Sequence, residues 1–204
     1  MIKVKICGLT REKDIETVNK LKPDYIGFVF ATNSKRYVSS EKVKLLKGNL
    51  EGGIQVVGVF VNAPIETVTA LCREDIIDFI QLHGNEDDMY ITELKAYTKK
   101  PIIQAYEIKT AADIKRANGS IADYILLDHG AGGSGESFDW SLLSIVNRPF
   151  LLAGGLHPEN IEDAIRKAIR TGYLYGVDSS SGVETNGMKD DKKIEKLIQT
   201  VRER

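Results

Sequence analysis

Eight short apolar runs recur along the chain, with amphipathic segments between them. Several runs are almost continuously apolar, which is typical of strands in a parallel sheet that is covered on both faces. Eight strand–helix units predict right-handed crossovers and an α/β fold closed into a (β/α)8 TIM barrel, small for its class at 204 residues. The runs are KVKIC (3–7), YIGFVF (25–30), VVGVFV (56–61), DFIQLH (78–83), IIQAYEI (102–108), YILLD (124–128), PFLLAGG (149–155) and YLYGVD (173–178).

The segments between the runs predict helices with recognisable starts. Thr10 is the expected N-cap of the first helix, Ser39 precedes the second, and Pro64 suits a first helical position. The segments after the fifth and sixth runs give weaker helical patterns. A doubly wound open sheet is the alternative, but no G-x-G-x-x-G follows the first run. No linker interrupts the pattern, so we expect a single barrel domain over 1–204.

The composition argues against some classes of binding partner. The chain has 28 basic and 29 acidic residues and a net charge of −1, so no field of one sign favours nucleic acid or a membrane surface. The apolar runs are too short to span a membrane, and the N-terminus lacks a secretory pattern. Two cysteines, Cys7 and Cys72, are too few for a disulfide scaffold. We therefore expect a cytoplasmic protein.

In a barrel of this kind, the residues just after each strand form the active site. The short loops after the seventh and eighth runs, AGG (153–155) and DSSSG (178–182), stand where such barrels often bind phosphate. Two small-residue loops at the two expected places favour a phosphorylated small-molecule ligand over ordinary tight turns. The candidate residues at all strand ends are Cys7, Arg36, His83, Asp128, Gly154, Gly155, Asp178, Ser180 and Ser181.

Four of these side chains can carry chemistry, although each also has an ordinary interpretation. Cys7 is either a small core residue or a thiolate stabilised before a helix start, acting as base or nucleophile. Asp128 is either a turn former or an acid kept protonated by apolar walls. Arg36 is either solvated or the partner of a carboxylate, and His83 either orients substrate or satisfies a loop. The histidines show no metal-site spacing.

A set of motifs, in order from the first strand to the last helix, resembles the phosphoribosylanthranilate isomerase family of tryptophan biosynthesis. The similarity covers nearly the whole chain, and the combination is specific although no single motif is. The family often has valine where Ser179 stands. The motifs are KICGLT (5–10), SKRYV (34–38), GVFVN (58–62), QLHG (81–84), LLD (126–128), GGSG (132–135), FDW (138–140), LAGGLHPEN (152–160), VDSSSGVE (177–184) and GMKD (187–190).

The resemblance implies an Amadori rearrangement of N-(5-phosphoribosyl)anthranilate without a cofactor or metal. It implies that Asp128 is the acid that opens the ribose ring, Cys7 the base, and Arg36 the partner of the anthranilate carboxylate. The same match assigns the phosphate to Gly154, Gly155, Ser180, Ser181 and nearby backbone. Reference pKa values of about 8.5 for cysteine and about 3.9 for aspartate favour the reverse roles, so the site must lower the first and raise the second.

Two other functions remain open at this point. One is a broader sugar-phosphate isomerase that also serves histidine biosynthesis, although such barrels resemble half-repeats and use a carboxylate pair, with an aspartate at the end of the first strand where this chain has Cys7. The other is a barrel that only binds a phosphorylated metabolite. The glycine-rich loop over 129–140 is a candidate lid. The chain is expected to be a monomer or a homodimer, with a weak preference for the monomer.

Overall fold

The computed structural model describes residues 1–129 and 138–204. Eight parallel strands pair in sequence order, and β1 also pairs with β8, which closes the barrel. This confirms the predicted (β/α)8 fold. The barrel strands are β1 (Lys3–Cys7), β2 (Tyr25–Val29), β3 (Gln55–Phe60), β4 (Phe79–Leu82), β5 (Ile102–Glu107), β6 (Tyr124–Asp128), β7 (Phe150–Leu152) and β8 (Leu174–Ser179).

Helices cover the outside of the barrel, and all the predicted strands are found within a few residues of their expected ends. The weak helical pattern after residue 140 corresponds to a 3-10 helix, Trp140–Ile145. Two shorter 3-10 turns are Ile169–Thr171 and Ser181–Val183. The α-helices are α1 (Glu12–Leu21), α2 (Ser40–Gly48), α3 (Ile65–Arg73), α4 (Asp88–Tyr97), α5 (Ala111–Asn118), α6 (Ile161–Ala168) and α7 (Asp191–Arg202).

The first helix begins later than the sequence predicted. Arg11, not Thr10, is the N-cap of α1, and its backbone N–H donates to the Asp14 carboxylate in a capping box. The N–H of Thr10 donates to the same carboxylate at 2.8 Å. One aspartate therefore satisfies two backbone donors ahead of the helix, and the hydroxyl of Thr10 is not needed as a cap.

A small hairpin after β8 was not predicted. It consists of β9 (Glu184–Thr185) and β10 (Met188–Lys189), paired antiparallel. Asn186 and Gly187 form the turn with φ of 53° and 75°, the left-handed conformation that a tight two-residue hairpin requires. The hairpin lies between the last 3-10 turn and α7, close in the chain to the DSSSG loop at the carboxyl end of β8.

Side chains alternate between two apolar layers, as the period of two in a strand dictates. One layer fills the barrel interior and includes Tyr25, Val57, Phe79 and Leu126. The other lies between the strands and the helices. This packing fixes the strands rigidly and holds their carboxyl ends at one rim, where the loops of interest begin. In the described parts of the chain, no helix is both long and apolar enough to cross a membrane.

Candidate active site

The two proposed acid–base residues end two strands of the same barrel. Cys7 is the last residue of β1 and Asp128 the last residue of β6. In the closed barrel, β8 and β7 lie between these strands. All strands run parallel, so both side chains belong to the carboxyl rim that the sequence predicted.

Cys7 is enclosed. Only 7% of the residue is exposed, and it packs with Val29 and Val59. Gly27 on β2 makes this possible, because a Cβ there would lie 2.6 Å from the Cys7 sulfur. Burial raises the pKa of the Cys7 thiol, and the nearby Lys5 ammonium only partly opposes this effect. The pKa of the Cys7 thiol is therefore raised, not lowered as the role of base requires, and α1 begins at Glu12, five residues after Cys7.

A buried ion pair lies beneath the thiol. Lys5 is fully buried, and its Nζ lies 2.9 Å from Asp178 Oδ2 on the neighbouring strand β8. Burial alone would lower the pKa of Lys5, but Asp178 and the Cys7 thiol outweigh it and raise that pKa. Asp178 Oδ1 is buried without a hydrogen-bond partner among the described residues. Lys5 was not among the predicted site residues, although it stands two residues before Cys7 and therefore on the same face of β1.

Asp128 has a more open environment. Its side chain is 17% exposed, and its Oδ2 lies 3.6 Å from His83 Nε2. The buried amide of Gln81 donates from Nε2 to His83 Nδ1 at 2.8 Å. An accepting Nδ1 leaves the ring proton of a neutral histidine on Nε2, directed to the side where Asp128 lies. Gln81 is a second residue that the sequence analysis did not single out; like Lys5, it shares a strand face with a predicted residue.

Arg36 is held by a carboxylate of the hairpin. Its Nε and Nη2 donate to Glu184 Oε1 and Oε2, each at 2.7 Å. Lys189 Nζ donates to Glu184 Oε1 at 2.6 Å. Burial disfavours the charged form of Glu184, but the two cations outweigh it and lower the pKa of that carboxyl. Glu184 and Lys189 belong to the quoted motifs, yet only the fold shows that they meet Arg36.

The two small-residue loops meet at the rim. Gly154 and Gly155 have φ of 83° and 60°, which other residues rarely adopt. A Cβ on Gly182 would lie 1.9 Å from the carbonyl oxygen of Leu156, so the loops after β7 and β8 are in direct contact. Ser179, where the family often has valine, donates its hydroxyl to that same carbonyl at 2.6 Å and is buried.

Ser180 connects this loop to Cys7. Its hydroxyl donates to the Cys7 carbonyl at 3.0 Å, while its own carbonyl accepts from Lys189 Nζ at 3.0 Å. Ser181 begins the 3-10 turn that follows. The loop after β8 is therefore fixed to both β1 and the hairpin. The GGSG motif and most of the candidate lid fall within 130–137, outside the described residues. Over 1–129 and 138–204, no cluster of three or more potential metal ligands occurs.

Comparison with known proteins places this arrangement in a family. Residues 4–200 match the family model described as N-(5'phosphoribosyl)anthranilate (PRA) isomerase. The N-(5'-phosphoribosyl)anthranilate isomerase of Endomicrobium trichonymphae is 46% identical, over 99% of this chain and 98% of the relative. The chain belongs to the N-(5'-phosphoribosyl)anthranilate isomerase family. It is accordingly an isomerase of tryptophan biosynthesis built on a TIM barrel.

Solved structures of the family agree over the full chain. The phosphoribosyl anthranilate isomerase from Thermotoga maritima matches with a TM-score of 0.90 and 34% identity, covering 100% of both chains. A phosphoribosyl anthranilate isomerase in complex with reduced 1-(o-carboxyphenylamino)-1-deoxyribulose 5-phosphate matches with a TM-score of 0.87 and 33% identity, again over 100% of both chains. Another Thermotoga maritima structure is of monomers generated from a dimeric enzyme.

Proposed function

We propose that this isomerase uses Asp128 as general acid and Cys7 as general base to convert N-(5-phosphoribosyl)anthranilate to 1-(2-carboxyphenylamino)-1-deoxyribulose 5-phosphate. The observation that carries these roles is the placement of both groups at the carboxyl ends of β1 and β6 on one barrel rim. Family membership supports the overall reaction, and the site residues are the part that requires a test.

The reaction needs two proton transfers. Asp128 gives a proton to the ring oxygen of the ribose as the C1′–O bond breaks, which opens the ring to a Schiff base. Cys7 then takes the proton from C2′; the electron pair of the C–H bond forms the C1′=C2′ double bond, and the electron pair of the C=N bond moves onto the nitrogen. The resulting enolamine tautomerises to the ketone, so no net proton is gained or lost and no cofactor is needed.

The surroundings of each group fit its role. Burial and Asp178 raise the pKa of the Cys7 thiol, while Lys5 and Lys189 supply positive charge that offsets part of this rise and favours the thiolate. His83, with its proton on Nε2, stands beside Asp128 and donates toward the carboxyl or the sugar oxygens. Asp178 Oδ2 already pairs with the Lys5 ammonium. We therefore propose that Asp178 acts on the site indirectly, by holding Lys5.

The two ends of the substrate are anionic and have separate anchors. We assign the phosphate to the backbone of Gly154, Gly155, Ser180 and Ser181, since the left-handed glycines let the chain approach an anion closely. We assign the anthranilate carboxylate to Arg36. Local groups of this kind are required because the chain carries a net charge of only −1.

We further propose that the protein acts in the cytoplasm as a monomer or homodimer. Both cysteines, Cys7 and Cys72, are free and buried, as suits a reducing compartment. Sedimentation of the purified protein over a range of concentrations tests the assembly state.

The decisive experiment follows the loss of anthranilate-sugar fluorescence with the purified enzyme. Turnover of N-(5-phosphoribosyl)anthranilate is expected, with no turnover of the aminoaldose phosphate of histidine biosynthesis in a parallel assay. Conversion of both substrates would indicate the broader isomerase, and binding without turnover of either would indicate a barrel that only binds. Either result would overturn the proposal.

A further inference from the structure

The β9–β10 hairpin places two opposite charges, those of Glu184 and Lys189, at one side of the site. Its register pairs Lys189 with Glu184, so both side chains lie on the same face of the hairpin. Their ion pair is nearly closed to solvent, with side chains 2% and 8% exposed. A buried pair of this kind is expensive to form and is weak evidence for stability alone. Its contacts therefore suggest what else it does.

Arg36 uses only one edge of its guanidinium to reach Glu184. The bonds from Nε and Nη2 occupy the side edge. The end edge, made by Nη1 and the second N–H of Nη2, is geometrically separate and can bind another carboxylate with two hydrogen bonds. Within the described parts of the chain, no hydrogen bond from Nη1 is found, and a quarter of the Arg36 side chain is exposed. Glu184 thus fixes the plane of the Arg36 guanidinium without covering its end edge.

The stem of Arg36 is fixed as well. Gly8, directly after the base Cys7, has φ of 78°, and a Cβ there would lie 2.4 Å from Arg36 Cδ. The arginine therefore crosses the backbone next to Cys7 at van der Waals distance. With the stem against Gly8 and the side edge on Glu184, few orientations of the end edge remain.

The charges also balance in favour of an incoming anion. Arg36 and Lys189 share one carboxylate, so the cluster carries one net positive charge. Lys189 in addition donates to the Ser180 carbonyl in the loop assigned to the phosphate. The hairpin therefore connects the anchor for the carboxylate to the anchor for the phosphate, and it fixes the distance between them.

We propose that Glu184 is a positioning and specificity residue: it holds the side edge of Arg36 so that the end edge meets the aromatic carboxylate of the substrate. This inference rests on the proposed function, in which Arg36 binds that carboxylate. Glu184 itself does not touch the reacting atoms. It acts through Arg36, and its effect is confined to substrates that carry the carboxylate.

The test compares Glu184→Gln with wild type on N-(5-phosphoribosyl)anthranilate and on N-(5-phosphoribosyl)aniline, which lacks the carboxylate. The variant is expected to raise KM for the first substrate about tenfold, the loss that follows when a charge-assisted hydrogen bond is weakened. It should leave KM for the second substrate unchanged, with kcat less affected than KM. Glu184→Asp keeps the charge with a shorter reach and should fall between wild type and Glu184→Gln.

Two further variants distinguish positioning from damage to the fold. In Arg36→Met, adding Glu184→Gln should cause no additional rise in KM, because Glu184 then has no arginine to position. Glu162→Gln removes an exposed glutamate of α6 that pairs with Arg204 and should change KM for neither substrate. Circular dichroism melting checks that each variant is folded.

The inference and the proposed function fail in different ways. If wild type does not turn over the anthranilate substrate, the proposed function is wrong. If wild type is active but Glu184→Gln affects both substrates equally, or lowers KM for the anthranilate substrate, the inference is wrong. The latter result would mean that Glu184 competes with the carboxylate for Arg36 rather than presenting it.

Discussion

Cys7 and Asp128 stand at the same rim of the barrel in unlike surroundings. Cys7 lies over a fully buried Lys5 and its partner Asp178, in a region closed to water. Asp128 is partly exposed and faces His83, whose ring is fixed by a neutral amide. Cys7 thus lies beside a buried pair of fixed charges, whereas the described neighbour of Asp128 is a histidine oriented by a neutral amide.

The difference indicates how each side controls its proton. Fixed charges in a dry region act on the affinity of a group for its proton, since their fields are weakly screened there. Neutral hydrogen bonds mainly set orientation and tautomer. Removing a charge near Cys7 should therefore change a pKa, whereas removing the amide near Asp128 should change geometry.

The largest effect on turnover should come from the two groups themselves. Cys7→Ser and Asp128→Asn are each expected to lower kcat by on the order of 10²-fold or more, as the loss of general acid–base catalysis does. Cys72→Ser is the matched control, because it changes the other free buried cysteine, on α3, and should retain wild-type turnover. Near-normal kcat in both site variants would remove the contrast altogether, since neither side would then carry the proton.

The next effect concerns the charges beneath the Cys7 thiol. Lys5→Met should cost about 3–5 kcal/mol of unfolding free energy, because it leaves the buried Asp178 carboxylate without its cation. It should also raise the thiol pKa of Cys7, since the thiolate loses a neighbouring positive charge. Asp178→Asn should lower that pKa, because it removes a neighbouring negative charge.

Thiolate absorbance followed against pH, in a Cys72→Ser background, measures both shifts. Opposite signs are the distinguishing result, because general damage to the site would move both variants the same way. Arg36 and Lys189 also face the thiol and stay unchanged in both. Lys3→Met is the control. It removes a partly exposed lysine two residues before Lys5 on β1, together with its ion pair with Asp24, and it should leave the pKa of Cys7 unaltered.

These contacts also show what sequence can and cannot predict. The barrel was predictable because each strand corresponds to a local apolar run in the sequence. The rim residues were predictable because active sites in such barrels lie at the carboxyl ends of the strands. Lys5 was missed because a lysine in a short alternating strand is usually solvent-facing. Its partner Asp178 lies 173 residues away. Only closure of the barrel, which pairs β1 with β8, brings them together.

The hairpin is an intermediate case. Asn186–Gly187 is a strong local turn signal, so the Glu184–Lys189 pair could have been predicted from the sequence. That Glu184 also binds Arg36, 148 residues earlier, depends on the tertiary fold. The predicted lid and the single-domain boundaries over 1–204 stay predictions.

On the side of Asp128, Gln81→Met should lower kcat about tenfold, which corresponds to about 1.4 kcal/mol in the activation barrier. Methionine keeps the volume but gives His83 Nδ1 no donor, so the ring can carry its proton on either nitrogen. Nitrogen NMR of the His83 ring should then show a mixture of tautomers. Gln104→Met, at a buried glutamine of β5 bonded to Ser120, is the control and should cost stability with little loss of kcat.

The smallest effect is a difference in acid stability between the two sides. The pKa of Glu184 is held low in the fold because Arg36 and Lys189 outweigh the opposing effect of burial. Its contribution is present in full above the unfolded value, about 4.3, and is lost as pH falls through the folded pKa. The difference in unfolding free energy between wild type and Glu184→Gln should therefore shrink as pH falls below about 4.3 in urea titrations. The difference between wild type and Gln81→Met should stay constant over the same range, because no charge is removed there. A constant difference for both variants would show that Glu184 stabilises the fold by packing alone. The surroundings of Cys7 and of Asp128 would then respond alike to acid.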